Sequence, residues 1–307
     1  PGGDKESYNI VKPILKDIAA KFCGEPCIKY IGSDGSGHYV KMIHNGIEYA
    51  EMQLIADAYF ILKTILKLNN QEISNVFKEW NNGELNSYLL TITTKILIKQ
   101  DNQDYLIDCI LDQASSKGTG KWTCQDALEL SEPLSIITES VFSRYLSSLK
   151  SQRVLASKLL DSPKINFITN FKSDFIEKVR QSLFLGKILC YCQGFSQLSQ
   201  ASDRYYWKLK CYDIAKIFRS GCIIASSLLN DIVEIYKYDS TVINLLLTPI
   251  FQNVANRYQY SLREVVSYCL NQGISIPGLS SSIIYFDGYR TKNSSANLIQ
   301  AQRDYFG

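Results

Sequence analysis

The sequence predicts a mainly α protein: a large all-helical domain with a duplicated helical half, preceded by a short αβ piece. Three observations carry this. From residue 38 onward, apolar residues recur at spacings of three and four, the period of a buried helix face. Strand-like alternation is confined to roughly the first 31 residues. Segments about 141 to 146 positions apart also resemble one another in order, as Lys41-Met42-Ile43 does Lys187-Ile188-Leu189 and Ile73-Ser74-Asn75-Val76-Phe77 does Ile214-Ala215-Lys216-Ile217-Phe218.

At the N-terminus, Asp4 can cap a helix running through Ile10, Val11, Ile14, Leu15, Ile18, Ala19 and Phe22, which Gly24-Glu25-Pro26 stops. Cys27-Ile28-Lys29-Tyr30-Ile31 alternates as a short strand, and Gly32 to Gly37 forms a bend. Between His38 and about Leu68 there is no proline, and Val40, Ile43, Ile47, Leu54, Ala58, Leu62 and Leu66 keep helical spacing. A helix of about 30 residues is more than twice the usual length and needs several neighbours to pack against. Further helices are expected over 73–80, 85–95, 101–113, 125–130, 136–150, 165–191, 203–218, 222–238, 242–247 and 248–272. Pro249 suits the first turn of the last of these.

Composition excludes several classes. The 33 Lys and Arg against 30 Asp and Glu leave a net charge of +3, too balanced for a general nucleic-acid binder. Two histidines and nine cysteines without paired CxxC spacing give no zinc pattern, so no metal is expected. An odd number of scattered cysteines fits reduced thiols in a cytoplasmic protein. No apolar run reaches the roughly 18 residues of a membrane span. The start at Pro1-Gly2-Gly3 and the end at Gly307 suggest a piece of something longer.

Two groups of residues could carry chemistry. Lys41, His44, Asn45 and Glu48 fall at i, i+3, i+4 and i+7, one helix face, with Ile43 and Ile47 on the other. An amine and a carboxyl group so spaced can converge on one small molecule as base and acid, although a solvated polar face would share the pattern. Gly46 in mid-helix asks for something passing close. In Ser115-Ser116-Lys117-Gly118-Thr119-Gly120-Lys121-Trp122-Thr123, glycines free the backbone to approach an anion while Lys and Thr supply donors. It is not a Walker loop, and no GxGxxG follows a strand. Arg144 is a further candidate or a plain surface arginine.

Taken together, four segments resemble one family. Gly37 to Tyr49, followed by Met52-Gln53-Leu54-Ile55, is similar to the catalytic helix of decarboxylating 6-phosphogluconate dehydrogenases. Lys117-Gly118-Thr119-Gly120-Lys121-Trp122-Thr123, Phe286-Asp287-Gly288-Tyr289-Arg290 and the run from Ala296 to Gly307 are similar to further motifs of that family, in family order. The resemblance implies oxidative decarboxylation of 6-phosphogluconate to ribulose 5-phosphate and CO2 with NADP as cofactor, a step of the pentose phosphate pathway. It implies Lys41 as general base, also facing the nicotinamide, and Glu48 as the acid. It implies that His44 and Asn45 hold the sugar acid, and that Tyr49, Lys117, Thr119 and Arg144 bind its phosphate. Arg303 would come from the tail of the other subunit of a homodimer.

In domain terms the resemblance makes residues 1–33 the last helix and strand of a coenzyme domain. Residues 34–290 become the dimerisation and substrate domain, and 291–307 a tail reaching the partner. The family's nucleotide fingerprint and Ser-Gly-Gly substrate turn are not among these residues, and Ser115 and Ser220 stand where the family has small residues or glycine. These residues alone are therefore expected to hold the dimer and part of the substrate site without turnover. The competing readings are another β-hydroxyacid dehydrogenase, which lacks phosphate-reading groups, and a helical dimerisation module without catalysis.

Overall fold

The computed structural model describes residues 1–307. Helix α1 (Lys5–Ile18) begins at Asp4, whose carboxylate accepts from the Ser7 amide at 2.7 Å. It stops short of Phe22 because Cys23 and Gly24 take left-handed backbone, φ 49° and 80°, and close a hairpin of β1 (Lys21–Phe22) and β2 (Glu25–Pro26). The strand expected over 27–31 does not form. There the Ile31 amide donates to the Pro1 carbonyl and the Gly3 amide to the Gly32 carbonyl, both at 2.9 Å. Lys216 pairs with Glu25 at 2.7 Å and Arg219 lies 4.1 Å over the Phe22 ring, fastening the hairpin to the second half.

The long helix α2 (Ser36–Thr64) forms close to its expected bounds. It is followed by α3 (Asn70–Trp80), α4 (Tyr88–Ile98), a hairpin of β3 (Gln100–Asp101) and β4 (Asp104–Tyr105), the single turn α5 (Leu106–Cys109), α6 (Thr119–Glu129), α7 (Ser135–Ser148) and α8 (Lys150–Leu159). The hairpin displaces the helix expected over 101–113, with Asn102 at φ 57° in its turn. The second half contains α9 (Lys172–Arg204), α10 (Cys211–Phe218), α11 (Leu228–Tyr238), a 3-10 turn at Leu245–Leu247, α12 (Pro249–Asn271), α13 (Pro277–Arg290) and α14 (Ala296–Phe306). Helices α9, α10 and α11 each start several residues later than the spacing predicts. Phe171, Tyr206, Lys208 and Gly221, all with φ between 54° and 73°, reverse the chain ahead of them. Apolar spacing does not register such turns.

The architecture is all-helical apart from the two small hairpins. Its centre is α2 against α9, with α6 and α7 packed on α2 and α12 and α13 on α9. Ile43, Ile47, Leu54, Ile61 and Leu62 of α2 are fully buried there, each worth about 1.5–3 kcal/mol in apolar surface removed from water. Gly186 and Gly194 of α9 let the two axes approach: a methyl group at either would lie 2.7 or 2.6 Å from Leu54 or Ile47. In each half a long helix precedes a helical pair, α3–α4 or α10–α11, and the halves touch at a backbone bridge between Ser87 and Ser226. Helix α2 also caps α13 from a distance, the buried Asp57 carboxylate accepting from the Leu279 amide at 2.9 Å. Helix α14 stands away from this body, with Leu298, Ile299, Tyr305 and Phe306 exposed. All nine cysteines are free, and no helix is long and apolar enough to cross a membrane.

Candidate active site

Three helices converge at one end of α2. The face carrying Lys41, His44, Asn45 and Glu48 turns toward the N-terminus of α6 and the side of α7. Its sequence leaves that arrangement little freedom, because Ile43 and Ile47 are buried against α9 and so point the polar residues the other way.

His44 is the hub. Its ring is buried, meeting Phe218 of α10 edge-on at 5.1 Å between centroids. Nδ1 lies 3.1 Å from Lys41 Nζ, 3.1 Å from Asn45 Oδ1 and 3.8 Å from Glu48 Oε2. Amine and carboxyl therefore flank one ring nitrogen instead of diverging into solvent. Burial, reinforced by the Lys41 charge, lowers the His44 pKa to about 4, so the ring is neutral at physiological pH. A neutral imidazole has one Nδ1 that either accepts from an ammonium or donates to an amine or carboxylate, the tautomer deciding. Burial also pushes the half-buried Glu48 carboxyl above the usual carboxylate range, while the charges of Lys41 and Arg144 pull it back. Lys41 itself is exposed at the mouth of the cluster.

The second group is brought to the same place. Asn45 Nδ2 donates to Thr119 Oγ1 at 3.1 Å, joining α2 to the first residue of α6. Gly118 precedes that helix at φ 99°, a left-handed conformation that favours glycine, and no side chain caps the helix end. Its free amides and Thr119 thus form an anion-ready terminus. Lys117 is exposed beside it. Gly120 brings α6 against α2, since a methyl group there would sit 2.7 Å from the Tyr49 ring. Over the same ring lies Arg144 of α7, its guanidinium 3.6 Å from the centroid and donating to the Ser115 carbonyl at 3.0 Å. Arg144 is therefore no plain surface arginine; it ties Tyr49 to the Ser115–Thr119 loop.

Gly46 has a simpler cause than a ligand. A methyl group there would meet Thr123 Cγ2 at 2.7 Å and Ile137 at 3.2 Å, so the glycine seats α6 and α7 on α2. Thr123, the last residue of the glycine-rich run, donates to the Met42 carbonyl at 2.9 Å and so fixes the register of the two helices. Phe218 and Cys222, from the second half, close the wall behind His44 and near Lys41; only the tertiary fold brings them there. Arg303 is the one predicted site residue that the chain does not bring to the cluster: it lies on the exposed α14.

Comparison with known proteins points to one family. A family model described as "6-phosphogluconate dehydrogenase, C-terminal domain" matches residues 37–307. Proteins named "6-phosphogluconate dehydrogenase, decarboxylating" are 62% identical in Buchnera aphidicola subsp. Baizongia pistaciae and 58% in Salmonella typhimurium, each over 100% of this chain. The chain spans 66% of the length of either relative. A solved 6-phosphogluconate dehydrogenase from Plasmodium falciparum superposes with a TM-score of 0.97 at 42% identity, over 100% of this chain and 66% of its own. That protein is described in its apo form and in complexes with NADP+ and with 6-phosphogluconate.

Proposed function

The chain belongs to the 6-phosphogluconate dehydrogenase family, and on that premise we propose that it supplies the substrate and acid–base groups for oxidative decarboxylation of 6-phosphogluconate to ribulose 5-phosphate. The observation that carries the proposal is the meeting of Lys41, His44 and Glu48 around one nitrogen, with Asn45 bonded to Thr119 at the start of α6 and Arg144 stacked on Tyr49 of the same helix α2.

Lys41 takes the proton of the C3 hydroxyl on its amine nitrogen. A bound NADP would supply the acceptor for the hydride that leaves C3. The exposed face of the Lys41 amine leaves room for the nicotinamide end of that cofactor, whereas no residue of this chain forms a glycine-rich pyrophosphate cradle. The 3-keto acid then breaks its bond to the carboxylate and loses CO2. The Lys41 ammonium, one bond from His44, hydrogen-bonds and protonates the oxygen where negative charge develops. Glu48, whose carboxyl burial pushes above the usual carboxylate range, is the acid that delivers a proton to the enediol carbon that lost CO2. His44 stays neutral and relays no net charge, so its role is to orient the amine and, with Asn45, the sugar hydroxyls and carboxylate.

Tyr49, Lys117, Thr119 and Arg144 receive the phosphate, and the tail of a second copy adds Arg303 in a homodimer. The apolar residues of α14, exposed on this chain, support that exchange because they need a surface to cover them. A β-hydroxyacid without phosphate would leave these cations unanswered. Assay of the intact enzyme with 6-phosphogluconate and with gluconate tests the reading. Turnover of 6-phosphogluconate with stoichiometric CO2 supports it, and an equal kcat/KM for gluconate sinks it.

A further inference from the structure

The imidazole of His44 has one nitrogen in company and one without. Nδ1 faces Lys41 Nζ and Asn45 Oδ1, each at 3.1 Å, and Glu48 Oε2 at 3.8 Å. Nε2 is buried, and no donor or acceptor of the chain reaches it. Against the ring packs Phe218, edge-on at 5.1 Å between centroids with 78° between the planes. Phe218 is the last residue of α10 and only 5% exposed. Its place is held from several sides. Ile214 and Ala215 bury one face of α10, and the Cys222 thiol donates to the Phe218 carbonyl at 3.0 Å. Asp213 and Lys216 pair with Lys29 and Glu25 of the N-terminal piece at 3.5 and 2.7 Å.

A neutral imidazole carries one proton, and its neighbours decide which nitrogen keeps it. On Nε2 the proton would make a buried N–H without an acceptor, and would turn the Nδ1 lone pair toward two oxygens. Bonds left unmade in a buried place are costly. On Nδ1 the proton is donated to Asn45 Oδ1, and the amide nitrogen of Asn45 donates in turn to Thr119 Oγ1 at 3.1 Å. Lys41, exposed at the mouth of the cluster, has solvent for its own hydrogens.

We propose that Phe218 is a positioning residue for His44, its ring sealing Nε2 from solvent so that the imidazole keeps its proton on Nδ1, the nitrogen facing the acid–base cluster. Without the phenyl ring, water reaches the imidazole and gives an Nε2–H its partner. Nδ1 then turns from donor to acceptor, and Asn45 loses the bond that aims its amide at Thr119. This rests on the place given to His44 in the chemistry above.

The test is nitrogen-15 spectroscopy of the intact enzyme labelled at histidine, at neutral pH, with His44 assigned by the signals lost in His44→Gln. Wild type is expected to carry its proton on Nδ1. In Phe218→Ala a share of the Nε2–H form appears, and kcat falls about ten- to a hundredfold. Phe218→Leu, which keeps the wall apolar and nearly filled, returns both readings toward wild type. A merely structural Phe218 would lower thermal stability in either variant and leave the tautomer alone, and that result overturns the proposal. So does a wild-type ring protonated on Nε2, a measurement that needs no variant to fold. Full activity in His44→Gln overturns it differently: Phe218 would have nothing to position, and the reading of the cluster would fall with it.

Discussion

Single residues decide the acid–base chemistry. Glu48→Gln keeps the shape of the carboxyl but removes its proton. Its kcat is expected to fall about 10²- to 10⁴-fold with little change in KM, and steady-state kinetics read this directly. A variant within tenfold of wild type would shift the acid role elsewhere. His44 makes a separate prediction about pH. Its folded pKa of about 4 lies below the unfolded value of 6.5, so the unfolded chain takes up its proton first as pH falls. The stability lost this way is absent above pH 6.5, grows as pH drops below it, and levels off near pH 4. The 2.5-unit gap corresponds to about 3 kcal/mol. Subtracting the denaturation curves of His44→Gln from those of wild type isolates this contribution from other titrating groups. Parallel curves from pH 7 to pH 4 would contradict the buried, neutral ring.

At the scale of elements, the site depends on how closely α6 lies on α2. Lys41 to Tyr49 were legible in the sequence because they share one helix, where a fixed rise and rotation place side chains three and four apart together. Lys117, Thr119 and Arg144 could be named as a loop and a lone arginine. That Arg144 stacks on Tyr49 and bonds Ser115 could not, since the partners lie on three separate elements. Gly46 illustrates the limit: its missing side chain was visible, but whether a ligand or a helix filled the space was not. Gly120 gives the corresponding prediction. In Gly120→Ala the new methyl group falls 2.7 Å from Tyr49 and 3.0 Å from Val141. The overpacking is expected to cost about 1–3 kcal/mol, outweighing the roughly 1 kcal/mol gained in helix propensity. Thermal unfolding and the KM for 6-phosphogluconate should both worsen. A stabilised variant with unchanged KM would mean that α6 is free to retreat.

For the whole molecule, the exposed apolar residues of α14 are what the proposed exchange of tails would cover. Exchange of tails predicts complementation. Lys41→Met and Arg303→Met subunits, each inactive or weak alone, are co-refolded. In the mixed dimer one site has lost both groups, while the other combines its own Lys41 with the Arg303 of its neighbour. Recovery of activity toward about a quarter of wild type is expected, given random pairing. No recovery on mixing would place Arg303 in its own subunit's site or in none.

The sequence by itself determined the helical class, the long helix α2 and the polar face it carries, since these follow from local periodicity that neighbouring residues impose on one another. It also held the family's motifs in order, though it misplaced the starts of α9, α10 and α11, and it made a helix of β3–β4. Those depended on single residues such as Phe171, Tyr206 and Asn102 turning left-handed, a choice that tertiary packing makes and hydrophobic spacing does not record. Only the folded chain decided that Phe218 and Cys222 of the second half wall the amine and imidazole of the first, and that Glu51 meets Lys187. The physical reason is that burial and electrostatic coupling belong to pairs of residues brought together by packing, whatever their separation along the chain.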